Sequence, residues 1–130
     1  MEQTLQQKQL AFLEETVSFY NSNNRSVIMR VSDFKEVCKY FHETLPGCAI
    51  GRHVEDKELC KMWDSDMNSD GVSVTSSNVF SNLPDNLKEL DMNFLHDVQR
   101  LHDERLNWDD NGLSERGKGN ANTIKYKFGL

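Results

Sequence analysis

Cysteine and histidine are the side chains of this chain best suited to nucleophilic or metal chemistry, and Cys38, His42, Cys48, His53 and Cys60 gather in its first half. Thiolate and imidazole are zinc ligands, but zinc knuckles use short paired spacings. Cys38-x-x-x-His42 is the nearest approach to one, and we expect no metal. A nucleophilic thiol needs an imidazole that is itself held in place, and Cys48 with His53 is the pair that could supply both. Cys48, however, lies in the run Gly47-Cys48-Ala49-Ile50-Gly51, where burial raises a thiol's pKa and leaves it inert. All three cysteines are therefore expected to be small buried thiols. His102 reads as a half-buried helix residue and His96 as lying on the opposite, solvated face. Asp66-Met67-Asn68-Ser69-Asp70-Gly71 matches the opening of a calcium loop, yet its closing position is Ser77 instead of a bidentate glutamate. It reads as a polar turn.

Charge offers a second kind of chemistry. The net charge of −6 is unevenly spread. Residues 54–110 carry five basic against fourteen acidic groups, and residues 111–130 carry four basic against one acidic. An acidic middle opposes a grip on duplex DNA, which requires a positive face, and suits a basic partner. Asp97, Asp103, Glu104, Asp109 and Asp110 are the candidate partner-binding residues. Arg25, Arg52 and His53 are the candidate ligand-binding residues, converging with Arg30 and Lys39 on one rim if the extended segments pair. Such a rim could hold a phosphate or an RNA backbone, with Tyr40 available to stack.

These groups must be positioned by a chain of 130 residues, a length suited to one compact domain spanning 1–130. Hydrophobic residues make up 37% and charged residues 28%, a globular composition on the polar side. No run is long and apolar enough for a membrane helix, and the start of the chain lacks a signal-peptide pattern. A cytoplasmic protein is expected. From Thr4 to Tyr20, Leu10, Leu13, Val17 and Tyr20 share a helical face, with Phe12 and Phe19 beside it. Val27 to Val31 suggests an extended segment. Residues 33–42 fit a helix by period and a strand by composition. The strand reading pairs Val37–Phe41 with Cys48–Gly51 across Pro46-Gly47 as a central hairpin.

Val54 to Trp63 reads as a helix with Leu59, Met62 and Trp63 inward. Short helical turns follow Ser76 and Pro84. Asp91 to Trp108 reads as a second long helix, buried through Phe94, Leu95, Val98, Leu101 and Trp108. Arg100 and Glu104 are spaced on it for a surface pair, and Gly112 is its left-handed cap. Ser114 opens a last helix that buries Gly117, Ala121, Ile124 and Phe128. The sum is a small α+β domain, mainly helical with a central β-hairpin.

Arg25-Ser26-Val27, Cys38-x-Tyr40, Gly47-Cys48-Ala49-Ile50-Gly51-Arg52, Leu83-Pro84, Leu101-His102-Asp103, Trp108 and Gly112-Leu113-Ser114 resemble a group of small phage and bacterial proteins without assigned function. The resemblance runs from about Tyr20 to Ser114 and implies the hairpin, but no activity. Small size, an acidic middle and this resemblance lead us to expect a non-enzymatic binding protein of phage or mobile-element type that uses no cofactor. Its concrete form is an anti-CRISPR inhibitor docking on a host protein or ribonucleoprotein effector. The alternatives are a protein that sequesters a nucleotide signal through Arg25, Arg52 and His53, and an enzyme built on Cys48 and His53.

Overall fold

Thr4 starts the first helix by a reciprocal capping box: its hydroxyl accepts the Gln7 N–H at 3.1 Å, and the Gln7 side chain accepts the Thr4 N–H at 2.9 Å. The helix α1 that follows spans Leu5–Phe19, in a computed structural model that describes residues 3–29, 36–65 and 74–130. Its buried row is Gln9, Leu13, Thr16 and then Tyr20. Leu10, Val17 and Phe12 are half-buried, and Phe19 is exposed. The apolar period located the helix but rotated its face by about one position. Gln9 is at home in the interior because its Oε1 accepts the Asp91 N–H at 2.9 Å.

β1 (Val27–Met29) pairs antiparallel with β2 (Glu36–Cys38), Val27 opposite Cys38 and Met29 opposite Glu36. The α+β class with a hairpin therefore holds, but the hairpin joins different segments from those expected. Cys48–Gly51 is not a strand. The Cys48 N–H donates to the Lys39 carbonyl at 3.1 Å, after which the chain turns and Gly51–His53 wind into a 3₁₀ turn. Two glycines explain the departure. Gly47 has φ +94°, and a Cβ there would sit 2.8 Å from the Tyr40 carbonyl oxygen. A Cβ on Gly51 would clash with the same oxygen and with the Tyr40 Cα. The segment wraps the Tyr40 backbone at a range that admits no side chain. Cys48, Ala49 and Ile50 are nevertheless core, all fully buried.

α2 (Lys57–Ser65) buries Cys60 and Trp63, while Leu59 is half-buried and Met62 exposed. Two short helices, α3 (Ser77–Phe80) and α4 (Asp85–Lys88), fall where Ser76 and Pro84 suggested. α5 (Met92–Asp103) opens on Asp91, whose Oδ1 accepts the N–H groups of Asn93 at 2.7 Å and Phe94 at 3.1 Å. It ends five residues before Trp108. A 3₁₀ turn at Arg105–Asn107 leads into a two-residue-loop hairpin, β3 (Trp108–Asp109) and β4 (Gly112–Leu113). The cause is long-range: the Trp108 indole N–H and the Asn107 side-chain amide both donate to the Leu101 carbonyl at 3.0 Å, folding the chain back over the helix end. Gly112, at φ +127°, serves this hairpin and caps no helix.

α6 (Glu115–Phe128) starts at Ser114, whose hydroxyl accepts the Gly117 N–H at 3.1 Å, and ends at Gly129 in the left-handed region. Gly117, Ala121 and Ile124 are buried as expected. A Cβ on Gly117 would clash with the Asn107 carbonyl, so the small residue sets how closely α6 approaches the turn after α5. The calcium-like stretch Asp66–Gly71 and the segment around Val72 and Ser73 lie outside the described residues.

Candidate functional site

Tyr20, the residue that follows α1, packs beside Arg52 and His102. It is buried, and its hydroxyl donates to the Gly47 carbonyl at 2.8 Å. Burial pushes the phenol far above its usual pKa, so it serves as a fixed donor. The His102 ring packs edge-on against it with centroids 4.6 Å apart, Trp108 lies at 6.1 Å, and the Arg52 guanidinium lies 5.6 Å from its ring centre.

His102 is fully buried, deeper than its helical position suggested. Its Nδ1 meets Asp103 Oδ1 at 2.8 Å, and its Nε2 accepts the Ser26 backbone N–H at 3.4 Å, an arrangement that places the proton on Nδ1. An aspartate orienting a histidine beside a serine has the composition of a nucleophilic triad. The geometry denies that role: the Ser26 hydroxyl donates to the Lys39 carbonyl at 3.0 Å, and Ser26 and His102 are both sealed from solvent. These groups tie α5 to the segment before β1.

Arg30 of the expected rim lies outside the described residues, and Arg25 is set apart from Arg52 and His53. Arg25 is turned to the end of α5, where its Nη1 donates to the carbonyls of His102 at 3.2 Å and Asp103 at 2.9 Å. A cation on the last carbonyls of a helix is favourable on both hydrogen-bond and dipole grounds. Arg52 and His53 lie together against α1. Arg52 pairs with Glu15 and stacks 4.3 Å over the Phe19 ring. The His53 ring lies 5.3 Å from that of Phe12, with Nε2 3.9 Å from Glu15. Burial and the Arg52 charge push His53 down to about 4, with Glu15 opposing them. Tyr40 is buried and cannot stack on an outside ligand. Its hydroxyl accepts from Gln99 Nε2 at 2.8 Å, while Gln99 Oε1 accepts the Val74 N–H at 3.2 Å. Gln99 was missed in the sequence, where only its place beside Val98 on the inward face hints at burial.

Sulfur brings the clearest correction. Cys48 is disulfide-bonded, so it is neither a free buried thiol nor a nucleophile waiting for His53. Cys60 is a free thiol in the core, pushed up to about 11 chiefly by burial. Among the described residues no group of three acidic, histidine or cysteine side chains could hold a metal ion, and no helix is long and apolar enough to cross a membrane.

The acidic candidates fall at separate places. Asp97 stands alone midway along α5 and meets Lys127 at 2.9 Å. Asp103 and Glu104 lie at the end of α5, and Asp109 and Asp110 in the β3–β4 hairpin. Asp103 is bound to His102, and Glu104 faces Arg116 across 3.9 Å instead of pairing along its helix with Arg100. Asp109 and Asp110 are exposed and firmly placed: the Ser22 N–H donates to the Asp109 carbonyl at 2.9 Å, and the Ser22 hydroxyl donates to Asp110 Oδ1 at 2.9 Å. No family model, no curated protein and no solved structure matches the chain. The functional case rests on the residues themselves.

Proposed function

We propose that this chain is a non-enzymatic binding protein of phage or mobile-element type, acting in the host cytoplasm as an inhibitor of a defence machine. An RNA-guided effector, the target class of anti-CRISPR proteins, is the concrete partner. The observation that carries the reading is the exposed acidic tip at Asp109 and Asp110, braced by Ser22. A rigid anionic projection loses little side-chain freedom on docking and complements a basic nucleic-acid channel. Asp97, neutralised by Lys127, lies outside this contact. Capture of a purified RNA-guided effector tests the reading. Charge reversal of Asp109 and Asp110 to lysine is expected to weaken capture about tenfold or more, because like charges then face each other. Arg52→Ala is expected to leave capture unchanged. The opposite pattern, with nucleotides raising the melting temperature, would return the nucleotide-sequestering alternative. A cytoplasm also reduces disulfides, so capture has to persist when Cys48 is reduced. Loss of capture under reductant would rule out that compartment.

A further inference from the structure

Two glycines sit two positions apart in α6, and only one has a reason within the fold. Gly117 is packed against the Asn107 carbonyl, whereas Gly119 has nothing within 4 Å of the place its Cβ would occupy. Gly119 needs no left-handed conformation, and glycine in the middle of a helix is a poorer choice than almost any other residue. At 100° per residue its face also carries Asn122, Thr123 and Tyr126. Tyr126 is 92% exposed, far beyond any other large apolar side chain among the described residues. Basic residues line both flanks. On the side toward α5, Arg116 and Lys127 meet Glu104 and Asp97. On the far side, Lys118 has an exposed 3.4 Å contact with Glu115, and Lys125 is half-buried at the edge of the face. By the same rotation Tyr126 stands beside the bare backbone of Gly119, exposed Glu115 and Asn122 come next, and Lys118 and Lys125 form the flank beyond them.

We propose that this outer face of α6, through Lys118, Gly119, Asn122, Lys125 and Tyr126, binds a short stretch of single-stranded nucleic acid. The lysines hold phosphates, a base stacks on Tyr126, and the sugar–phosphate chain passes close over Gly119. Lys118 and Lys125 are separated by about 10.5 Å of helix rise, roughly three nucleotides at about 3.4 Å each. Stacking on an aromatic ring beside a positive track is how single strands are held without sequence preference. A duplex keeps its bases stacked on one another and offers none to Tyr126. An acidic peptide would use the lysines but leave both the free ring and the bare glycine without purpose. The acidic body of the molecule repels a long polyanion, which confines the footprint to this face. The surface is separate from the acidic tip, so either can fail without the other.

Fluorescence anisotropy of the full chain with a labelled oligo-uridine dodecamer tests this. Saturable binding is expected, weakening with salt at a log–log slope of about −1.4 for two phosphates. Tyr126→Ala should weaken it about fivefold or more, and Lys118→Glu with Lys125→Glu should remove it. Gly119→Gln should weaken binding while raising the melting temperature by about 2–4 °C, a divergence that a purely structural residue would not give. Absence of saturable binding would overturn the proposal. So would an affinity indifferent to Tyr126→Ala, or equal competition by polyglutamate or by a duplex.

Discussion

His53 shows how burial turns an ordinary side chain into a pH-dependent element of stability. Its folded pKa of about 4 lies below the unfolded value of 6.5, chiefly because the ring is shielded and secondly because Arg52 stands beside it. Between those two values the unfolded chain binds the extra proton, so acidification favours unfolding. The contribution is complete above pH 6.5 and is lost as pH falls to about 4, with a ceiling of about 3 kcal/mol. His53→Phe keeps the contact with Phe12 and removes the titration. Denaturant midpoints at pH 7 and pH 4.5 should differ less in this variant than in the parent, and parallel curves would refute the assignment. The sequence marked His53 as notable for ligand binding and, with Cys48, as an alternative for catalysis. What it could not display was the company: Glu15 and Phe12 come from α1, nearly forty residues away.

Helix starts were the most legible elements, because an N-cap is written within four residues of chain. Thr4, Asp91 and Ser114 all begin helices as their types suggest, and Gly117 is buried as expected. Ser114 serves doubly, its hydroxyl accepting the Gly117 N–H and donating to the Leu106 carbonyl at 2.6 Å. Ser114→Ala should therefore cost about 1–2 kcal/mol, at the upper part of the range for N-cap losses, as read from urea unfolding. What could not be read locally was fixed by distant partners. α5 stops at Asp103 because Asn107 and Trp108 reach back to the Leu101 carbonyl. The expected strand at Cys48–Gly51 became a turn because the Tyr40 backbone occupies the space that side chains on Gly47 and Gly51 would need. Composition named those glycines, but only the packing shows what they make room for. The placement of the candidate cations was illegible for the same reason: Arg25 and Arg52 look alike in sequence, and one goes to the end of α5 while the other goes to α1.

At the scale of the molecule, the described charges include an exposed acidic pair in the β3–β4 hairpin and, along α6, four basic side chains against the single carboxylate of Glu115. The asymmetry was visible in the sequence as a run of opposite net charges, whereas the neutralisation of Asp97 by Lys127 was not. The hydrophobic interior is continuous from α1 through α6, and the two halves each hold one buried indole. Trp63 packs edge-on to Tyr40 with centroids 5.1 Å apart, and Trp108 lies 6.1 Å from Tyr20. At such separations each phenol can pass excitation to its neighbouring indole. The protein thereby carries two native optical probes, one beside α2 and one beside the β3–β4 hairpin. Replacing one tryptophan at a time with phenylalanine would isolate them. Coincident emission changes on heating are expected if the chain melts as one cooperative unit, and separated transitions would reveal that the two ends of the core come apart independently.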